Sequence, residues 1–156
     1  MIELAEVLAM IAVLGTAVVY GTDVFCAVVQ RPALAAVDDG ALVAVMGNVH
    51  RYGDRRMPVP GVLGAVAAIA SAALFAVAGQ WAQSITAFCA VVMLLLWIVL
   101  YARVSAPINR QLTRAAISRQ FPANARVLQS GWDRIINVRA ALQGLALAAL
   151  CLTMIV

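Results

Sequence analysis

A stretch without any charged residue or histidine, from Met57 to Ala102, constrains the fold of this chain most strongly. A membrane-spanning helix needs roughly 20 mostly apolar residues, so this stretch is long enough for two spans joined by a tight turn. Apolar segments from Ile2 to Val29 and from Ile135 to Val156 supply two more. With 65% hydrophobic and 12% charged residues, the chain has too little polar surface for an average soluble domain. The sequence therefore predicts an integral membrane protein.

Because lipid cannot satisfy free backbone N–H and C=O groups, the spans should be helices. The first contains the uncharged run Val7 to Thr22 and, lacking a basic leader, is expected to be a retained helix and not a cleaved signal peptide. The second should run from about Pro60 to Gly79, the third from about Trp81 to Tyr101, and the fourth from near Trp132 to the C-terminus. The predicted fold is a single domain over residues 1–156, an all-α antiparallel bundle of four transmembrane helices.

All eleven basic residues are arginines, and they lie only between Arg31 and Arg56 or between Arg103 and Arg139. Basic residues near span ends favour the cytoplasmic side of a membrane. We therefore expect both arginine-rich loops to be cytoplasmic and both termini to lie outside, in a multi-pass protein of the cell inner (plasma) membrane. The lipid bilayer is then the main partner, and a nucleic-acid partner is not expected.

Both arginine-rich loops are expected to contain amphipathic helices. In the third loop, Ser105 should cap a helix that begins at Ala106 and Pro107. In the first loop, Pro32 suits a first helical position, and Pro58 should end the helix. Apolar residues recur there at helical spacing, at Leu34, Val37, Ala41, Val45, Val49 and Tyr52.

Polar side chains at membrane depth are functional candidates, because burying them is costly. Asp23, near the end of the first span, is one candidate, and an interfacial acid paired with a loop arginine is the alternative. Arg139 should lie about 10 Å deeper than Trp132 at 1.5 Å per residue. We expect it to face inward and pair with Asp23, Asp133 or a bound anion, and snorkelling toward the membrane surface is the alternative. One helical stripe carries it together with Trp132, Ile136 and Gln143.

His50 is the only histidine, and Asp54 should share its helix face. The carboxylate could orient the imidazole or raise its pKa, which suits a base or proton relay. A solvated histidine beside a salt-bridging aspartate and a metal site are the alternatives. Cys26, Cys89 and Cys151 are isolated and are interpreted as buried apolar residues. Since no common metal or nucleotide motif is present, no metal site is assigned and no cofactor is implied.

One resemblance is carried by the run Ala106-Pro107-Ile108-Asn109-Arg110-Gln111-Leu112 after the third span, followed by Trp132 and by Arg139 seven residues later. This pattern resembles the anthrone oxygenase-like family of small four-helix membrane proteins, largely catalogued as a domain of unknown function. The segment from His50 to Pro58, ending in Asp54-Arg55-Arg56-Met57-Pro58, is similar as well. The resemblance marks the site residues Asn109, Arg110, Trp132, Arg139, His50 and Asp54.

Family members with an assigned role oxygenate anthrones to anthraquinones without a known cofactor motif. An anthrone has an acidic C–H beside a carbonyl system, so a base can generate an enolate that reacts with dioxygen. A cation can stabilise the oxyanion. The resemblance implies that His50 is the base and that Arg139 or Arg110 is the cation, with Asp54, Asn109 and Trp132 binding the ligand. Asp23 does not match the family pattern. We predict that it also binds the ligand, because it lies at membrane depth.

Two other classes of function stay open. Small residues in the second span suit close helix packing, within the chain, in a homo-oligomer or in a larger membrane complex, and a non-enzymatic assembly module would use them so. The lone acid Asp23 also resembles a proton-coupling residue of a small transporter. The predicted site favours an enzyme or binding protein for a flat aromatic or quinone-like ligand at the cytoplasmic mouth of the bundle. It comprises His50, Asn109, Arg110, Trp132 and Arg139.

Overall fold

Helices account for almost all of the structure, a computed structural model that describes residues 1–120 and 122–156. Two π-helical turns, Cys26–Gln30 and Tyr101–Ser105, join α1 to α2 and α5 to α6, so that each pair forms one long helix. No strand occurs in the described ranges, as the all-α prediction requires. The helices are α1 (Ile2–Phe25), α2 (Arg31–Ala35), α3 (Asp39–Arg56), α4 (Pro58–Val77), α5 (Trp81–Leu100), α6 (Ala106–Ser118) and α7 (Ala125–Thr153).

Four of the helical segments are long and apolar enough to cross a membrane, which confirms the predicted number of spans. They are Ile2–Ala35, Pro58–Val77, Trp81–Ser118 and Ala125–Thr153. The last begins at Ala125, earlier than the predicted start near Trp132, because Ala125 and Gln129 extend the buried side of α7 toward its N-terminus. The short connection between α4 and α5 is as predicted, and Gly79 takes a φ of +74° there, a conformation that glycine adopts without strain.

The small residues of α4 pack inside the chain. A Cβ atom at Gly15 of α1 would lie only 2.6 Å from the carbonyl oxygen of Pro60, and the backbone of Gly64 is almost as close. Farther along, the hydroxyl of Ser71 donates to the carbonyl oxygen of Ala5 at 2.8 Å. Such close approach is typical of helix pairs that associate in lipid. The neighbouring core is largely alanine, with Ala12, Ala67, Ala68, Ala90, Val91, Leu94, Ala146 and Leu150.

The buried side of α3 differs from the predicted apolar stripe. Of that stripe, Leu34 is buried, whereas Val37, Val45, Val49 and Tyr52 are exposed. The helix packs on α6 through another set of residues, because the backbone of α6 at Leu112 approaches Gly47 so closely that a side chain there would clash. This contact turns the opposite apolar side inward, with Leu42, Val43, Met46, Gly47 and His50.

Ser105 does not cap α6, contrary to the prediction. It lies in right-handed helical conformation within the continuous α5–α6 helix, and its hydroxyl bonds elsewhere. Both π-helical turns are followed by a proline, Pro32 and Pro107. A proline ring clashes with the carbonyl four residues earlier, and a π-helical turn changes the local bonding register so that the helix can continue. The two prolines therefore lie inside long helices and do not begin new ones.

The cysteine prediction holds only for Cys26, which is buried. Cys89 and Cys151 are exposed on the outside of the bundle. In a membrane protein the outside of a span is itself apolar, because it faces lipid. An apolar sequence context therefore does not separate core from surface.

Candidate functional site

A cavity of about 260 Å³ lies inside the bundle, at the end covered by α3. Its walls come from α1, α3, α4, α5, α6 and α7. Apolar residues such as Val19 and Met46 form much of the lining, and the aromatic residues Trp97, Tyr101 and Trp132 form another part. The charged or strongly polar members are Asp23, Gln30, His50, Asp54, Asn109 and Arg139.

An ion pair between Arg139 and Asp23 forms one side of the cavity. Nη2 of Arg139 lies 2.7 Å from Oδ1 of Asp23, and the side chains are only 6% and 4% exposed. The carboxylate also accepts hydrogen bonds from Nε2 of Gln143 at 2.5 Å and from Nε1 of Trp97 at 3.2 Å. Nη1 of Arg139 donates to Oγ of Ser105 at 2.7 Å. Each buried charge is therefore paired and hydrogen-bonded, as such groups require.

Three aromatic rings surround the same guanidinium. The Cζ atom of Arg139 lies 5.5 Å from the ring centroid of Trp132, 5.7 Å from that of Tyr101 and 5.9 Å from that of Trp97. A cation within about 6 Å of a ring face is attracted by the ring quadrupole. The rings thus stabilise the guanidinium while giving the cavity flat apolar walls.

Asp54 connects α3 to the α5–α6 helix. Its Oδ1 atom accepts hydrogen bonds from the hydroxyl of Tyr101 and from Nδ2 of Asn109, both at 2.8 Å. His50 lies one turn before Asp54 on α3, and both line the cavity. These bonds hold the segment of α3 that carries the histidine against the rest of the site.

His50 is buried, with 4% of its surface exposed, and its ring centroid lies 5.6 Å from that of Trp132. The alternative of a solvated histidine is therefore wrong. Burial lowers the pKa of His50 to about 4, and the positive charge of Arg139 acts in the same direction, although Asp54 raises it. The sequence suggested that Asp54 would raise the pKa of His50, but the lowering of the pKa by burial is larger. The imidazole is uncharged at neutral pH and can accept a proton.

Several buried polar atoms of the cavity residues lack a hydrogen-bond partner in the described part of the chain. Nε1 of Trp132 and Nε of Arg139 are donors, Oδ1 of Asn109 is an acceptor, and Nε2 of His50 can be either. Buried polar groups are almost always satisfied by protein, water or a bound molecule. Their concentration here suits a guest molecule that both donates and accepts hydrogen bonds.

The cavity brings together most of the residues singled out in the sequence. Of Arg139's predicted partners, Asp23 pairs with it, whereas Asp133 accepts a hydrogen bond from Gln129. Arg110 does not line the cavity and is exposed on α6. The predicted residues that line the cavity are Asp23, His50, Asp54, Asn109, Trp132 and Arg139.

Sequence reasoning missed several residues of the site, namely Trp97 and Tyr101, which line it, and Ser105, which bonds to Arg139. Aromatic residues near the end of a span are typical of interfacial anchors, so Trp97 and Tyr101 carried no separate signal. Their spacing of four residues, which places both on one face of a helix, was the available sign.

No protein-family model, curated protein or solved structure matches this chain. In the parts of the chain that the structure describes, no group of three or more His, Cys, Asp or Glu side chains is placed to hold a metal ion. Function is therefore inferred from the residues of the cavity and their chemistry.

Proposed function

We propose that the protein binds a flat, weakly acidic aromatic ketone of the anthrone type in this cavity and oxygenates it without a cofactor. The observation that carries the proposal is the placement of His50 and Arg139 around one aromatic ring. The His50 imidazole and the Arg139 guanidinium lie 5.6 and 5.5 Å from the ring centroid of Trp132. The resemblance to anthrone oxygenase-like proteins supports the same chemistry.

The dimensions of the cavity support a small fused-ring ligand. Its volume of about 260 Å³ is near the lower limit of the roughly 300–1,000 Å³ typical of ligand pockets. Trp97, Tyr101 and Trp132 offer ring faces on which a flat molecule can stack. A ligand with a long side chain would exceed this volume.

His50 acts as the general base in the proposed reaction. Nε2 of the uncharged imidazole removes a proton from the CH₂ group that lies across the central ring from the ketone and is conjugated with it through the flanking aromatic rings, which leaves an extended enolate. The carbanion carbon of the enolate forms a C–O bond to dioxygen, whose reduction to the peroxide level takes the electron pair, and the peroxide takes the proton back from His50 as a hydroperoxide. Loss of water from the hydroperoxide then forms the second carbonyl, with His50 assisting removal of the remaining C–H proton. The sum is CH₂ + O₂ → C=O + H₂O.

The charge that develops on the enolate oxygen has donors available. Nε of Arg139 and Nε1 of Trp132 have no hydrogen-bond partner among residues 1–120 and 122–156, so they can donate to an oxyanion. The other guanidinium nitrogens are held by Asp23 and Ser105, which keeps the donor in a fixed orientation, as electrostatic catalysis requires. The enolate also offsets the cost of a buried imidazolium on His50.

An antiparallel order of the spans is part of the proposal. Ala5 contacts Ser71 and Gly15 contacts Gly64, so residue numbers rise along α1 as they fall along α4. At the C-terminus, the side chain of Gln83 donates to the carbonyl oxygen of Val156. These contacts support both termini at the end of the bundle that holds the α4–α5 turn, with the cavity at the opposite end.

The loop helices α3 and α6 support a cytoplasmic position for that opposite end. Each buries one side, and their exposed residues include Arg55, Arg56, Arg110 and Arg114. We infer that both are amphipathic helices at the cytoplasmic surface of the inner membrane, since arginine-rich loops are retained there.

The other two classes of function receive less support. An assembly module has no need of an internal cavity with unpaired polar atoms. A proton-coupled transporter needs an acid that is free to exchange protons, whereas Asp23 is bonded to Arg139, Gln143 and Trp97. A ligand-binding site accounts both for the cavity with unpaired polar atoms and for an Asp23 that is held in hydrogen bonds.

The test uses purified protein in lipid nanodiscs supplied with anthrone in air. Formation of anthraquinone by absorbance and uptake of oxygen should occur in a one-to-one ratio, above the rate of a protein-free control. His50→Gln should lower the rate by about 10²-fold or more, the usual contribution of a general base, while its melting is checked separately. The matched control is Arg114→Gln, which changes an exposed residue of α6 outside the cavity. A parent protein no faster than the protein-free control would overturn the proposal.

A further inference from the structure

The cavity reaches the surface of the bundle through residues that carry no charge. Its exposed lining residues are Thr22, Val49, Pro58, Val62 and Ile98. All but Thr22 are apolar, and the hydroxyl of Thr22 is bonded to the carbonyl oxygen of Val18 in its own helix at 2.9 Å. This exposed rim offers no charged side chain to a molecule that arrives from water.

Two of the rim residues lie on neighbouring helices that are long and apolar enough to cross a membrane. Val62 is near the start of α4 and is 59% exposed, and Ile98 is near the end of α5 and is 36% exposed. The next residues on the outer faces of the two helices, Val66 and Leu95, are exposed as well. The surface around this part of the rim is therefore one that faces lipid hydrocarbon.

Helix α3 covers the arginine-rich end of the cavity, and among its lining residues only the apolar Val49 is exposed. Met46 and His50 of α3 line the cavity there and are buried. Arg55 and Arg56 are exposed on the same helix but do not line the cavity. A mouth that opened to water at this end would have such charged groups at its edge.

We propose that the ligand enters the cavity sideways from the bilayer, through an opening between α4 and α5 rimmed by Val62 and Ile98. The substrate class is then an uncharged aromatic compound dissolved in the membrane, and not a water-soluble anion or conjugate. The inference rests on the proposed function for the kind of ligand, but the route can be tested without that ligand. Such a route also keeps bulk water away from an enolate formed at His50.

The chain has three tryptophans, and two of them line the cavity. Trp81→Phe removes the third, which is exposed at the start of α5, so that the remaining fluorescence reports on Trp97 and Trp132. The probe is phosphatidylcholine brominated on the acyl chain close to the headgroup, used as the vesicle lipid. We expect strong quenching of the Trp81→Phe protein by this lipid and weak quenching by acrylamide added to the water.

Filling the rim tests the location of the opening. In the Trp81→Phe background, Val62→Phe combined with Ile98→Phe should abolish most of the quenching by brominated lipid. The matched control combines Val66→Phe with Leu95→Phe, which adds the same rings to the same helices outside the cavity, and it should leave quenching unchanged. If the variant with Val62→Phe and Ile98→Phe does not fold, the lateral route is tested by the comparison of brominated lipid and acrylamide on the Trp81→Phe protein.

Strong quenching by acrylamide with little quenching by brominated lipid would overturn the lateral route, and so would equal losses in the two pairs of variants. Anthrone oxidation is measured separately. A protein that oxidises anthrone but is quenched from water has the proposed function without this route. A protein that is quenched from the bilayer but does not oxidise anthrone has the route without that function.

Discussion

Nη2 of Arg139 and Oδ1 of Asp23 lie 2.7 Å apart inside the bundle, although the two residues are 116 positions apart in the chain. The pair connects α1 to α7, and Ser105, Trp97 and Gln143 form further hydrogen bonds with it. Because both charges are buried, neither can be removed without leaving its partner unpaired. The same pair borders the cavity, so it contributes to stability and to the geometry of the site.

Arg139→Leu should lower the free energy of unfolding by about 3–5 kcal/mol, because Asp23 would remain as a buried charge without its counter-charge. Thermal melting in mild detergent measures the loss. Adding Asp23→Asn to the same chain should restore part of it, since the second change removes the unpaired charge. Arg134→Leu, at an exposed position of the same helix, is the matched control. Equal melting of Arg139→Leu and the parent would refute a structural role for the ion pair.

Acid should destabilise the protein through His50. The folded-state pKa of His50 is about 4, below the value of about 6.5 in an unfolded chain. Between these values the unfolded state binds a proton that the folded state does not, so stability is complete above about pH 6.5 and falls as the pH drops toward 4. From pH 7 to pH 5 the loss from this group is about 2 kcal/mol.

Comparison of the parent with His50→Gln isolates that loss from the titration of other groups. Melting is followed in detergent at both pH values, and the difference between the two proteins is the measured quantity. The parent should lose more stability on acidification than the variant. An identical loss in both proteins would show that His50 is not held uncharged by burial.

Gly15→Ala should lower the free energy of unfolding by about 1–3 kcal/mol, the usual cost of overpacking. The added Cβ would lie 2.6 Å from the backbone oxygen of Pro60, and backbone cannot turn aside as a flexible side chain can. Gly21→Ala is the control in the same helix, where an added Cβ would meet no described atom within 4 Å beyond its chain neighbours and its own helix backbone, and it should be neutral or slightly stabilising. Gly15→Ala should therefore melt at a lower temperature than Gly21→Ala. Equal melting temperatures of the two variants would show that the close α1–α4 contact at Gly15 is absent.

Reporter fusions test the orientation in the membrane. A reporter fused after Val156 should be active only if it functions outside the cytoplasm, because the arginine-rich loops are expected to stay inside. The control is a fusion in the loop around Arg119, where the opposite type of reporter should be active. Strong cytoplasmic activity at the C-terminus would reverse the proposed orientation and would place the cavity at the outer surface.

The sequence alone was sufficient for the membrane class, the number of spans and the inward direction of Arg139. Hydropathy and charge are local properties, and the cost of placing a charge in lipid does not depend on which helix lies next to it. The depth of Arg139 past Trp132 therefore predicted its burial, and Gln143 lies on the same helical stripe. Both residues are at most 5% exposed in the structure.

Only the tertiary structure decided which faces meet. Apolar residues lie on two sides of α3, and the close contact of Gly47 with Leu112 selects the side that carries His50. Asn109 and Arg110 are neighbours in the chain, yet they point in directions about 100° apart on a helix. Only Asn109 therefore reaches the cavity. Which helix faces pack together depends on the fit between segments that are distant in the chain, and a local sequence pattern carries no information on that fit. The transfer of an apolar segment into lipid, by contrast, depends on that segment alone.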